Sequence, residues 1–113
     1  MQPINDLTWM RNLATGRVER FAFRGYRVAA VRLTASSWNP QAEYRYRLLF
    51  FPPDSHRPVL ALNLELTILG SACLTMQTGT VHTRLEDAEE TMSFERFKEW
   101  ALRRAEFELE LVS

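Results

Sequence analysis

The stretch Pro58-Val59-Leu60-Ala61-Leu62-Asn63-Leu64-Glu65-Leu66-Thr67-Ile68-Leu69-Gly70 alternates with a period of two. Leu60, Leu62, Leu64, Leu66 and Ile68 fall on one side of an extended chain, and Ala61, Asn63, Glu65 and Thr67 on the other. Successive strand side chains point to opposite faces, so this pattern predicts a strand with one apolar and one largely polar face. A helix would scatter the same five aliphatic residues around its circumference. The pattern predicts a mostly antiparallel sheet, packed on a core through one face and more open on the other.

Working outward, Tyr44 to Phe51 is a second strand, joined to the first through the turn-forming Pro52-Pro53-Asp54-Ser55-His56-Arg57. Earlier, Val18 to Phe23 and Tyr26 to Thr34 read as strands around the turn signal Arg24-Gly25, and Ala35 to Ala42 as a loop. Later, Ala72 to Thr78 and Thr80 to Leu85 follow Gly70 and Gly79. Two helices frame these strands. Asn5 to Ala14 is short, with Asn5 or Asp6 as cap, Leu7, Met10 and Leu13 on one side, and Gly16 as its stop. The second opens at Ser93 and places Phe94, Phe97, Ala101 and Ala105 on one face, with Trp100 on the flank, reaching about residue 108. The expected fold is α+β: one domain over residues 1–113. Its antiparallel sheet has five to six strands, with the C-terminal helix, and the short N-terminal one, on the apolar face.

A chain of 113 residues forms one domain and buries enough surface for an ordinary core. An apolar content of 46% and a charged content of 25% are those of a soluble globular protein. Asn63 and Glu65 interrupt the longest aliphatic run, so no bilayer span is expected and no membrane partner. The start Met-Gln-Pro-Ile-Asn-Asp lacks the basic and apolar regions of a secretory signal, and Cys73 stands alone. These features predict a cytoplasmic location.

The net charge is zero, but it is split. Residues 1–84 hold ten Arg against five acids, and residues 85–113 hold four bases against nine acids. The two halves are expected to neutralise each other, within the fold or between subunits. Without an overall basic excess, nucleic acid is an unlikely partner. Thirteen of the fourteen basic residues are Arg. Arg offers a planar fork for carboxylate or phosphate, although codon bias produces the same count.

No motif in the chain names a chemistry. The residues that pairing of the strands would gather on the polar face are the first candidates: Arg45, Arg47, Glu65, His82 and Arg84, beside Asn63, Thr75 and Gln77. Such a face suits a carboxylate, a phosphate or an acidic protein segment, or serves only as a solvated surface of cross-strand ion pairs. Trp38, in a loop, reads equally as an interface anchor or as a plug on the core. Cys73 with His82 would need spatial proximity to act as a nucleophile and base. Asp54-Ser55-His56 is turn chemistry rather than a triad. Glu86, Asp87, Glu89 and Glu90 read as a solvated connector. His56, Cys73 and His82 lack zinc spacing, and the four glycines form no phosphate loop, so no metal and no cofactor are expected. The expectation is a non-catalytic binding or adaptor protein acting through protein contacts, including self-association as a homodimer. The alternative is a small-ligand binder or enzyme that uses the Arg-rich face or a pocket between sheet and helix.

Overall fold

The computed structural model describes residues 2–33, 44–66 and 71–110. In chain order its elements are α1 (Thr8–Thr15), β1 (Arg17–Phe23), β2 (Tyr26–Arg32), β3 (Tyr44–Phe51), β4 (Leu60–Leu66), β5 (Ala72–Thr78), β6 (Val81–Ala88) and α2 (Phe94–Glu110). The six strands form one antiparallel sheet in sequence order, β1 to β6. The α+β fold is therefore the one the alternation predicts. The Trp38 loop and Thr67 to Gly70 lie outside the described residues.

Local chemistry sets the element ends. Asp6 Oδ1 accepts the Thr8 N–H at 2.9 Å at the start of α1, and the Gly16 N–H reaches Asn12 O at 2.9 Å at its end. Gly16 is required by close approach: a Cβ there would stand 2.7 Å from Val31 Cγ1 and 3.0 Å from the Arg32 carbonyl. Arg24 and Gly25, at φ 49° and 83°, make the tight turn between β1 and β2. Ser93 caps α2, its Oγ accepting the Arg96 N–H at 3.2 Å.

The two helices pack on opposite faces. Leu48, Phe50, Leu60, Leu62, Leu64 and Leu74 meet Phe94, Phe97, Ala101, Ala105 and Leu109 of α2. On the other face Ala29, Val31, Leu49, Phe51 and Ala61 meet Ile4 and Trp9, with Trp9 edge-on to Phe51 at 5.6 Å. The face expected to be more open is therefore closed over the centre of the sheet by α1 and the segment before it. The reason lies in which side of α1 turns inward. Trp9 and Asn12 are buried, whereas Leu7 and Met10, expected on the inner side, are more than half exposed. The large indole has more apolar area to bury than either aliphatic side chain.

The C-terminal edge also differs from expectation. The strand β6 continues through Glu86 and Asp87 to Ala88, opposite Leu74, Cys73 and Ala72, with the register slipping once between Leu74 and Thr75. Only Glu89 and Glu90 of the acidic run connect to α2. No helix of the described residues is long and apolar enough to cross a membrane.

The charge split is partly closed within the fold. Arg24 of the basic half bridges to Glu106 and, at 3.0 Å, to Glu110 of the acidic helix, whereas the Lys98–Glu19 pair at 2.7 Å joins the minority charges of the two halves.

Candidate functional site

The register gathers much of the polar row that the alternation suggested. Arg47, Asn63, Thr75 and Arg84 are successive cross-strand neighbours on one face, and Gln77 with His82, and Glu65 with Cys73, flank them. Arg45 does not join them. A bulge between Tyr44 and Tyr46 makes Arg45 the extra residue and turns Tyr44 onto the face of Arg47. The half-buried Arg45 instead lies over the Tyr46 ring and donates to the Glu90 carbonyl.

Arg47 is the centre of the row, and it is only 1% exposed. Its Nε donates to Asn63 Oδ1 at 2.8 Å, Nη1 to Asn12 Oδ1 at 2.8 Å and Thr8 Oγ1 at 3.3 Å, and Nη2 to Gln77 Oε1 at 2.5 Å. Asn63 passes the network on, its Nδ2 donating to Thr75 Oγ1 at 3.1 Å. The guanidinium also sits 4.0 Å from the centre of the Tyr44 ring. Every one of these partners is neutral. Burial pulls the guanidinium below its ordinary pKa, opposed by the Tyr44 oxygen once it ionises and by the carboxylates of Asp6 and Glu65. An arginine held this way fastens α1 to the sheet and has no free fork to offer a ligand.

The groups that stay accessible on this face lie toward β6. His82 Nε2 is 2.6 Å from Glu65 Oε1, without the alignment of a hydrogen bond. Arg84 is exposed and paired with Asp87 of its own strand, which raises its pKa through the hydrogen bond and the charge. A cleft of about 190 Å³ beside them is lined by Asn5, Asp6, Gln77 and His82, among others. Trp38 lies outside the described residues.

The structure does not pair Cys73 with His82. Cys73 stands opposite Glu65 and Asp87, and His82 opposite Gln77. Four residues of strand, about 13 Å, separate those positions. Burial first, and then the Glu65 charge, push the Cys73 thiol up, away from the nucleophilic thiolate. Among the described residues no three His, Cys, Asp or Glu side chains are placed to hold a metal ion.

Tyr44 gives this region a pH signature. Desolvation, with Glu65 and Asp6 adding to it and Arg47 opposing, raises its pKa to about 12. A phenol whose folded pKa exceeds its unfolded value of 10.0 stabilises the fold fully below pH 10. That contribution is lost as pH rises from about 10 toward about 12. Ultraviolet difference titration against a Tyr44→Phe variant should show Tyr44 ionising late, with urea stability falling over the same window. A Tyr44 contribution that titrates near pH 10 would contradict this account.

One surface was missed in the sequence. On α2, Trp100, Arg103, Arg104 and Phe107 follow the spacing i, i+3, i+4, i+7, next to the face that meets the sheet. Phe107 is 54% exposed. Arg103 pairs with Glu99 at 2.6 Å, and Arg104 with Glu108 at 2.7 Å while lying over the Phe107 ring. Beside them, a depression of about 310 Å³ between α2 and β6 is lined by Glu86, Met92, Arg96, Glu99, Trp100 and Arg103. The signal was present in the heptad-like spacing of Trp100 and Phe107. It was obscured by the alternation of Phe107, Leu109 and Leu111, which reads as a strand. Comparison with protein-family models, with curated proteins and with solved structures finds no match for this chain.

Proposed function

We propose that this chain is a small non-catalytic binding or adaptor protein that acts through protein contacts, with the outer face of α2 as its contact surface. The observation that carries this reading is a row of aromatic and arginine side chains beside a groove, with Arg103 and Phe107 exposed and Trp100 and Arg104 half-buried. Tryptophan and arginine are the residue types that dominate binding energy in protein interfaces. The arginine expected to lead the polar face, Arg47, is instead spent on holding the fold together. The ligand-binding alternative rests on the His82–Glu65 contact beside the cleft of about 190 Å³ and on the sheet–helix depressions of about 310 Å³ and, lined by Met76, Val81 and Glu108, about 380 Å³.

A photo-reactive residue at position 103, compared with one at the exposed position 20 of β1, tests the reading in cells. A protein adduct should form from position 103, be absent from position 20, and disappear when Trp100→Ala and Phe107→Ala are added. Adducts that form equally from both positions, or that survive the double substitution, would remove α2 as the contact surface.

A further inference from the structure

The outer face of α2 carries more pattern than an aromatic patch. Arg96, Trp100, Arg103, Phe107 and Glu110 recur at intervals of four, three, four and three residues. That is the spacing of a helix–helix seam. It is separate from the seam already used against the sheet, which runs through Phe94, Phe97, Ala101, Ala105 and Leu109. Arg96, Arg103, Phe107 and Glu110 are exposed and Trp100 is half-buried. Resting on the reading of α2 as the contact surface, we infer that its occupant is a second copy of this chain, packed with the two α2 helices antiparallel about Arg103.

The argument is charge and shape self-complementarity, which a two-fold interface demands. Arg96 and Glu110 each lie seven residues, about 10 Å, from Arg103. An antiparallel copy therefore sets Arg96 against Glu110 of the other copy, twice. The same operation brings Trp100 of each copy against Phe107 of the other, so the exposed Phe107 and the accessible part of Trp100 are covered. Arg103 meets its own counterpart at the dyad, and each brings a counter-ion with it, Glu99 at 2.6 Å. Arg96 makes no ion pair among the described residues, so it is available to take one. A parallel copy would instead stack Arg96 on Arg96 and Glu110 on Glu110. Of the two orientations, only the antiparallel one matches the charges at the ends.

Sedimentation velocity of the purified chain, from low micromolar to submillimolar concentration, tests this directly. The wild type should show a reversible monomer–dimer equilibrium. Arg96→Glu and Glu110→Arg should each weaken it about tenfold or more. The double reversal Arg96→Glu/Glu110→Arg should restore it to within about threefold, because the charges exchange places. Arg24→Ala, which frees Glu110 from its intramolecular bridge, should not weaken association. All of these positions are exposed, and thermal melting checks that each variant is folded. A monomer at every concentration overturns the inference, as does a dimer indifferent to the reversals or a double reversal weaker than either single one. If the chain is monomeric while position 103 still cross-links to a different protein, the inference fails and the proposed contact surface stands.

Discussion

Replacing Arg47 with Ala should cost about 3–5 kcal/mol of folding stability, because it leaves buried polar partners without their donor. The substitution strands Asn12 Oδ1, Asn63 Oδ1 and Gln77 Oε1, three buried acceptors that it serves. Each stranded acceptor costs about 1–3 kcal/mol, less whatever entering water recovers. For a domain of this size the melting temperature should fall by roughly 12–20 °C. Lysine should rescue little, because a single ammonium cannot reproduce a planar fork that reaches three elements at once. The companion variant Asn12→Asp tests the charge itself. It sets a carboxylate against a guanidinium that has only neutral partners, and it should stabilise the protein at neutral pH. The sign follows from linkage: the new carboxylate's folded pKa is depressed below its unfolded value of about 3.9. The gain is therefore complete above that value and is lost as pH falls through the folded one. Urea titration monitored by circular dichroism measures both variants. An Arg47→Ala loss below about 1 kcal/mol would show that the network contributes little to the fold.

The second large effect is expected at Phe97. Its ring is fully buried, 5.5 Å from Tyr46 and 6.1 Å from Trp100, at the centre of the contact between α2 and the sheet. Phe97→Ala removes that ring and leaves a cavity that the flanking Ala101 and Ala105 are too small to fill, at a cost of about 3–5 kcal/mol. Phe97→Leu, which keeps most of the volume, should cost less than half as much. Hydrogen exchange should locate the damage: amides of α2 lose protection before those of β3 and β4. Uniform loss across the sheet would mean that α2 and the sheet open as one unit.

The two effects also differ in how legible they were. Phe97 belongs to a helical spacing that assigns it to the core without further information. Arg47 sits in an alternating strand, where the same spacing assigns it to the polar side and says nothing of what lies above that side. Its burial depends on α1, whose inward face is settled by Trp9 packing on Phe51 and by Asn12 and Thr8 reaching the guanidinium. Those contacts join residues 35 to 42 positions apart in the chain, beyond any local pattern. The bulge at Arg45 is hidden in the same way: it moves Tyr44 across the sheet without leaving a mark in the run of alternating residues.

By itself, then, the sequence determined the α+β class, the antiparallel β3–β4 hairpin and the packing of α2 on the apolar face, because each follows from a short-range periodicity. The alternation also placed Asn63, Thr75, Gln77 and His82 on one face with Arg47 on the condition that the strands pair in order, which the register of β3 to β6 meets. The tertiary structure alone decided that α1 closes that face over the central strands and makes a structural hub of Arg47. It also decided that the accessible arginine and aromatic surface lies on the far side of α2. The physical reason is that a side chain's type sets its affinity for water or for apolar surroundings, but the element packed above it decides which of the two it meets.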